Sequence, residues 1–173
     1  MPLDAALFVF NQAAAVQPWR AIDDRVMGGI SHSGLRFDGA GHALFEGEVS
    51  LAQGGGFASV RSAVGVPDLA GVAALARACE CLIEARGDGR HYKLNLFLDA
   101  AFDALGYQAE FAPPPGRWQT LRLPLASFVA RFRGRAVAGA PALDPARIRQ
   151  VGLMIADRQA GPFALEVRSI LLA

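Results

Sequence analysis

The sequence has little charge of either sign and almost no net charge. Its 173 residues include 17 Lys and Arg against 16 Asp and Glu, a formal net charge of +1 at pH 7. A field this weak gives no reason to expect general binding to nucleic acid or to an anionic membrane. Hydrophobic residues make up 53 % of the chain and charged residues 19 %, a balance that excludes an intrinsically disordered protein.

Long apolar runs and abundant cysteine are also missing. No run approaches the ~20 apolar residues of a membrane-spanning helix, and the first residues lack the basic and apolar segments of a signal peptide. Cys79 and Cys81 are the only cysteines, which excludes a disulfide scaffold. We therefore expect a cytoplasmic protein with reduced thiols, in which residues 1–173 form one domain.

What the chain does contain is a series of short apolar or alternating segments separated by Gly, Pro and Asp. This spacing is typical of a β-sandwich or barrel. The predicted strands are Leu7–Phe10, Gly34–Phe37, Ala43–Leu51, Phe57–Ser62, Glu80–Arg86, Tyr92–Leu98, Tyr107–Phe111, Gln119–Leu123, Gln150–Ala156 and Phe163–Leu171. Only Val72–Ala78 and a turn at Asp144–Ile148 have helical features. We predict an all-β, antiparallel sandwich with one or two short helical turns.

One pair of these strands predicts a hairpin. Asp88-Gly89 between two alternating segments suits a two-residue turn. In that register one face is apolar, and it consists of Cys79, Cys81, Ile83 and Ala85 opposite Leu98, Leu96, Leu94 and Tyr92. Glu84 would then lie opposite Lys93 on the other face, and Tyr92 would point into the core.

Catalytic and metal-binding patterns are weak. We interpret Cys79 and Cys81 as small core residues, because a zinc site needs four ligands. His32, His42 and His91 are scattered, and neither a Gly-x-Ser-x-Gly elbow nor a His-Glu-x-x-His helix is present. We therefore expect no metal, no cofactor and no catalytic residue.

Asp23 and Asp24 form the closest pair of carboxylates, and two interpretations are open. They cap backbone N–H groups in a turn, or they bind calcium together with backbone carbonyls; the first is favoured. The glycines Gly28-Gly29 and Gly54–Gly56 are interpreted as tight corners, because no Lys-Ser/Thr and no helix N-terminus follows them.

Two groups of arginines have both structural and functional interpretations. Arg131, Arg133 and Arg135 alternate around aromatic residues, which suits either a solvated strand edge or nucleic-acid contact. The edge is favoured, since the chain has no basic excess. Arg61 shares a face with Phe57 and Ser59, so we expect it to pair with a carboxylate, such as that of Asp24 or Asp88.

A series of segments resembles, in order, the complex I intermediate-associated protein 30 family. They are Trp19–Ser31, Phe45–Gly47, Gly55–Arg61, Arg86–Tyr92, Tyr107–Phe111, Trp118-Gln119, Leu123-Pro124, Phe128, Phe132–Arg135, Ile155–Gln159 and Gly161–Phe163. The resemblance runs from about Trp19 to about Ile170. It implies a galactose-binding-like jelly roll related to carbohydrate-binding modules, which agrees with the strand pattern. The family's mitochondrial member assists assembly of respiratory complex I without catalysing a reaction.

The family resemblance implies a binding or assembly module rather than an enzyme. Its partners would be proteins, with subunits of a respiratory complex as the first candidates, and nucleic acid is not expected. The candidate binding residues are Asp24, Arg25, Arg61, Asp88, Arg90, Trp118 and Gln159. These residues either recognise a partner through charge-assisted hydrogen bonds and aromatic contact or lock the loops together. The alternative function is a carbohydrate or other small-ligand module, ranked lower because few aromatic residues are expected on the surface.

Overall fold

Two antiparallel β-sheets make up the computed structural model, which describes residues 5–65 and 69–173. The strands are β1 (Ala5–Val9), β2 (Arg20–Ala21), β3 (His32–Asp38), β4 (His42–Val49), β5 (Ala58–Ala63), β6 (Glu80–Arg86), β7 (Tyr92–Phe97), β8 (Gly106–Phe111), β9 (Trp118–Pro124), β10 (Val129–Phe132), β11 (Arg135–Ala136), β12 (Gln150–Ile155) and β13 (Gly161–Leu172). The helix α1 spans Leu69–Leu75, and short 3-10 turns span Ala13–Ala15, Asp24–Met27, Ala52–Gly54, Leu125–Ser127 and Pro145–Arg147.

Strand order defines a six-stranded sheet and a seven-stranded sheet. The six-stranded sheet runs β3-β4-β13-β6-β9, and β1 also pairs with β13. The seven-stranded sheet runs β11-β10-β8-β7-β12-β5-β2. Long-range pairings of this kind bring residues that are far apart in the chain onto one face of a sheet. In each sheet the face that packs against the other sheet is the inner face, and the opposite one is the outer face.

The core lies between the inner faces of the two sheets. Ile83 and Leu165 of the six-stranded sheet and Leu94 and Leu153 of the seven-stranded sheet are fully buried. Along most of β5, β7 and β13 the buried residues alternate with exposed or half-buried ones, as the pleat of a half-buried strand requires. The predicted antiparallel β-sandwich is confirmed.

The predicted hairpin at Asp88-Gly89 is wrong. β6 pairs with β13 and β9, whereas β7 pairs with β12 and β8, so the chain crosses from one sheet to the other at this point. The residues predicted for the inner faces are buried from Cys81 to Ala85 and from Tyr92 to Leu96, but Cys79 is exposed. On the outer faces Glu84 contacts Arg168 and Lys93 contacts Asp157. Alternation specifies which face a residue occupies and says nothing about which strand lies beside it.

The remaining local predictions are largely confirmed. The helix α1 begins three residues before the predicted Val72–Ala78 segment and ends three residues earlier. Asp144 accepts a hydrogen bond from the Ala146 N–H at 3.0 Å and caps the predicted turn. Cys81 is fully buried, but Cys79 precedes β6 and is exposed, which corrects its assignment to the core.

No helix in the described part of the chain is long and apolar enough to cross a membrane.

Candidate functional site

Asp24 is a fully buried carboxylate at the junction of three chain segments. Its Oδ1 accepts a hydrogen bond from the Ser31 N–H at 3.0 Å. Its Oδ2 accepts from the Ser31 hydroxyl at 2.6 Å, the Gly56 N–H at 2.8 Å and the Phe57 N–H at 3.3 Å. Burial alone would raise the pKa of Asp24, but these hydrogen bonds outweigh it and hold the pKa below its usual value.

Asp23 makes a second set of hydrogen bonds beside the first. Its carboxylate accepts from the Ser33 hydroxyl at 2.6 Å, the Ser33 N–H at 3.2 Å and the Ser59 N–H at 3.0 Å. Ser33 belongs to β3 of the six-stranded sheet and Ser59 to β5 of the seven-stranded sheet, so Asp23 joins the two sheets. The interpretation of Asp23 and Asp24 as capping carboxylates is confirmed.

Glycine is required at the corners around Asp24. A Cβ atom at Gly29 would overlap the Asp24 carboxylate, and one at Gly55 would lie 2.6 Å from Asp24 Oδ2. Gly28 and Gly54 have φ values of +86° and +78°, which glycine adopts without strain. The glycines therefore form corners, as predicted, and allow the backbone to approach the carboxylate closely.

Residues 25–30 form a loop that the two aspartates hold at both of its ends; we name it the anchored loop. Inside it the Gly28 N–H donates to the Arg25 carbonyl at 3.0 Å. Arg25 is exposed, Met27 is 66 % exposed and Ile30 is 50 % exposed. Asp23 and Asp24 therefore hold the ends of a loop that exposes apolar side chains to solvent.

Arg61 lies away from both of its expected partners. Alternation along β5 places it on the outer face of the seven-stranded sheet, with its guanidinium 3.9 Å from the Phe97 ring centroid and 5.9 Å from that of Phe102. Its Nη1 donates to the Phe102 carbonyl at 2.7 Å, and burial lowers its pKa. The expected pairing with Asp24 or Asp88 is wrong, because Asp24 points into the protein and Asp88 lies between β6 and β7.

Three other candidates do come together. Arg90 Nη1 donates to the Gln159 carbonyl at 2.9 Å, and Gln159 Nε2 donates to the His91 carbonyl at 2.9 Å. Asp88 accepts from the Ala164 N–H at 2.8 Å. These bonds tie the crossing between β6 and β7 to the turn between β12 and β13, which is the geometry of a structural clamp.

Trp118 occupies a fourth place, on the outer face of the six-stranded sheet. Arg168 and Arg86 stack on its ring at 4.0 Å and 5.0 Å, and His42 contacts it at 5.2 Å. The ring is covered and is not an open platform for a ligand. The predicted site residues therefore do not form one cluster.

Among residues 5–65 and 69–173, histidine and carboxylate groups lie together at two places that offer nitrogen and oxygen ligands to a metal ion. One is Asp38, His42 and Glu166, and the other is His91, Glu110 and Asp157. At the first, His42 Nε2 lies 3.0 Å from Glu166 Oε1. The Arg86 guanidinium donates two hydrogen bonds to the Glu166 carboxylate, and Arg86 and His42 lower the pKa of Glu166 although burial opposes this effect. This arrangement is an ion-pair network in which a cation already faces the carboxylate.

The outer face of the seven-stranded sheet carries a row of residues of which the sequence prediction named only Arg61; we name it the polar row. Strand register places Arg61, Gly152, Asn95 and Gln108 side by side across four strands. Gln108 Nε2 donates to Asn95 Oδ1 at 2.9 Å. A groove of about 320 Å³ continues along the same face. It is lined by Lys93, Gln108, Ala109, Glu110, Ser127, Val129 and Arg131. Asn95 and Gln108 are outward positions of predicted strands, but only the strand order places them in one row.

This two-sheet sandwich has the fold of family 11 carbohydrate-binding modules. The family 11 carbohydrate-binding module of a Clostridium thermocellum cellulase has a TM-score of 0.68 and 14 % identity, covering 99 % of this chain and 95 % of that one. The module in complex with a β-1,3-1,4-mixed-linked tetrasaccharide has the same TM-score of 0.68, with 16 % identity, 98 % coverage of this chain and 94 % of that one. The likeness at this identity is one of fold.

The chain belongs to the complex I intermediate-associated protein 30 family, whose model matches residues 8–167. An uncharacterised protein of Schizosaccharomyces pombe is 31 % identical over 170 residues, covering 89 % of this chain and 77 % of that protein. The mitochondrial complex I intermediate-associated protein 30 of Drosophila melanogaster is 27 % identical over 92 residues. That match covers 50 % of this chain and 31 % of the fly protein. Since the fly relative is mitochondrial, the cytoplasmic location expected from the sequence stays a prediction.

Proposed function

We propose that the protein is a non-catalytic module that binds a protein partner during assembly of a multi-subunit complex. Subunits of respiratory complex I are the first candidates for that partner. Membership of the complex I intermediate-associated protein 30 family supports this proposal, and so does the fly relative that carries the same name.

The anchored loop is the observation that carries the proposal. Asp23 and Asp24 fix its ends through hydrogen bonds to β3, β5 and the segment before β5. Met27 and Ile30 project from it beside the exposed Arg25. A loop that is already ordered loses little conformational entropy on binding, and Met and Arg are enriched in protein interfaces. Exposing these apolar side chains contributes nothing to folding.

An affinity purification tests this proposal. The tagged protein would be purified from its own host beside a Met27→Glu, Ile30→Glu double variant, and the co-purified proteins identified by mass spectrometry. We expect the unmodified protein to enrich respiratory-complex subunits and the double variant to lose them. Val72→Glu on α1 is the matched control, because Val72 is also an exposed apolar residue and lies outside the loop.

Two results would contradict the proposal. In the first, respiratory-complex subunits are not enriched over a mock purification. In the second, the double variant, folded as judged by circular dichroism, retains the same subunits as the unmodified protein.

Carbohydrate or other small-ligand binding is the second candidate function. The observation that favours it is the polar row, which places the hydrogen-bonding side chains of Asn95, Gln108 and Arg61 on one open sheet face. The fold likeness to carbohydrate-binding modules also supports it. A panel of oligosaccharides in a thermal-shift assay tests this candidate, and the absence of any shift across the panel would count against it.

A further inference from the structure

Arginines on the two outer faces have different partners. On the outer face of the six-stranded sheet, four arginines each form an ion pair with a glutamate. The pairs are Arg36 with Glu46, Arg86 with Glu166, Arg122 with Glu80 and Arg168 with Glu84. The positive charges on that face are therefore neutralised within the face.

On the seven-stranded sheet the outer arginines are not neutralised. Arg20, Arg61 and Arg131 take part in none of the ion pairs among residues 5–65 and 69–173. Each donates only to backbone carbonyls, for Arg20 those of Gln17 and Trp19. Strand register also places Arg20 directly opposite Arg61. Like charges in directly opposed positions cost stability, so this pair does not itself stabilise the sheet.

Arg61 is held in one position although no carboxylate binds it. Its guanidinium lies over Phe97 and near Phe102, within the range of cation–π attraction for both rings. Burial lowers the pKa of Arg61, and the side chain stays charged because an arginine remains protonated at neutral pH. A fixed, partly desolvated cation beside a second cation is a preorganised site for an anion.

Gly152 places no side chain between Arg61 and Asn95 in the polar row. Its backbone is outside the left-handed region, and a Cβ there would meet the Val60 carbonyl at 3.4 Å and the Phe97 ring at 3.5 Å, which are ordinary contacts. Neither backbone strain nor packing therefore requires glycine at this position. Gly152 itself is buried beside the Phe97 ring, so the accessible polar groups of the row are those of the half-buried Arg61, Asn95 and Gln108.

Asn95 and Gln108 offer both kinds of hydrogen-bonding group on the same face as Arg61. Gln108 uses one N–H to bond Asn95 Oδ1 at 2.9 Å, so the two amides hold each other in place. An amide pair still presents N–H donors and carbonyl acceptors to a ligand. A sugar hydroxyl donates one hydrogen bond and accepts others, which suits such a pair.

We propose that the polar row binds an acidic oligosaccharide, with a ligand carboxylate on Arg61 and Arg20 and sugar hydroxyls on Asn95 and Gln108. The guanidinium fork matches a carboxylate through two parallel N–H bonds. This inference rests on the second candidate function and adds the charge of the ligand and the place where that charge binds.

The test compares an acidic with a neutral oligosaccharide by isothermal titration calorimetry. The probes are tetragalacturonate and cellotetraose, with tetraglutamate as a peptide of the same charge. We expect tetragalacturonate to bind at least about tenfold more tightly than either other probe. Its affinity should fall as the NaCl concentration rises, because salt screens exposed charges.

Variants locate the site. Arg61→Gln should weaken tetragalacturonate binding by about tenfold or more. Arg168→Gln is the matched control, because Arg168 also stacks on an aromatic ring, at 4.0 Å, but on the other sheet. It should bind as the unmodified protein does. If Arg61→Gln does not fold, Arg20→Gln replaces it, since Arg20 is exposed and its loss removes no core contact.

Each outcome separates the inference from the function on which it rests. Equal binding of both oligosaccharides, unaffected by Arg61→Gln and Arg20→Gln, keeps the carbohydrate function and overturns the inference. No binding of either oligosaccharide removes both. Tetraglutamate binding as tight as that of tetragalacturonate also overturns the inference, because the face would then recognise an acidic peptide.

Discussion

Single residues such as Asp24 determine how the two sheets meet at one end of the molecule. The Asp24 carboxylate accepts hydrogen bonds from Ser31, Gly56 and Phe57, which lie on different segments of the chain. A carboxylate accepts all of these bonds, whereas an amide of the same size presents an NH₂ group to N–H donors and leaves them unpaired. Much of the local structure therefore depends on one ionised group.

We expect Asp24→Asn to lower the free energy of unfolding by about 2–4 kcal/mol, because charge-assisted bonds are lost and buried donors stay unsatisfied. Urea denaturation measures this change. Asp103→Asn is the control, since Asp103 is exposed and lies 3.9 Å from Arg133, and it should change stability by less than about 0.5 kcal/mol. An equal effect of the two substitutions would contradict this account of Asp24.

The pKa of Asp24 also predicts how stability depends on pH. A carboxyl group whose pKa is lowered by folding contributes stability that is fully present above its unfolded pKa, about 3.9. That contribution is lost as the pH falls through the lower pKa of the folded protein. Urea titrations between pH 3 and pH 6 measure the free energy of unfolding as a function of pH. At pH values below about 4, we expect this free energy to decrease more steeply for the unmodified protein than for Asp24→Asn. Parallel profiles would show that other carboxylates account for the acid sensitivity.

The candidate residues were predictable from the sequence to different degrees. The place of Asp24 in a turn predicted that it caps backbone N–H groups, but local pattern does not predict that two of its donors are Gly56 and Phe57. Nor does it predict the position of Arg61 over Phe97, because these residues meet only after β12 is inserted between β5 and β7. Contacts that depend on strand order cannot be predicted from a local sequence pattern.

At the scale of elements, the β3–β4 pair depends on one glycine. A Cβ at Gly47 would overlap the His32 carbonyl oxygen and lie 2.8 Å from the Ser33 Cα, both in the backbone of β3. Gly34 on β3 has open space around its Cα, so it offers a matched comparison on the neighbouring strand.

We expect Gly47→Ala to destabilise the protein by about 1–3 kcal/mol, since the two strands must move apart. Gly34→Ala should change stability by less than about 0.5 kcal/mol or raise it slightly, because alanine restricts the unfolded chain. Thermal unfolding followed by circular dichroism measures both variants. Similar melting temperatures for the two would show that β3 and β4 adjust more freely than the backbone contact indicates.

The strands themselves were largely predictable, and their partners were not. Alternation assigned Ile83 and Leu94 correctly to the core. The same alternation fits two strands in one sheet and two strands in facing sheets, because both arrangements bury the same residues. The turn at Asp88-Gly89 therefore predicted a hairpin where the chain in fact crosses between sheets.

For the whole molecule, the shared core predicts one cooperative unit. The two tryptophans report on different places: Trp19 is buried against Phe8 and Phe10, and Trp118 lies on the outer face of the six-stranded sheet. Since both sheets bury their inner faces against each other, neither has a separate core with which to unfold independently.

We expect fluorescence and circular dichroism to give the same urea midpoint within each single-tryptophan protein, Trp19→Phe and Trp118→Phe. Each variant is compared with itself, so a change in stability caused by the substitution does not affect the test. A fluorescence transition that precedes the circular-dichroism transition in either variant would show two units and would contradict the prediction of a single domain.

The position of β13 has a consequence for synthesis of the protein on the ribosome. This strand is the last of those described, yet it lies inside the six-stranded sheet and pairs with β1, β4 and β6. Translation is vectorial, so β4 and β6 emerge early with an unfilled space between them. Until residues 161–172 leave the exit tunnel, those strand edges stay unpaired and open to other chains. We therefore expect the nascent chain to be prone to aggregation until β13 is complete.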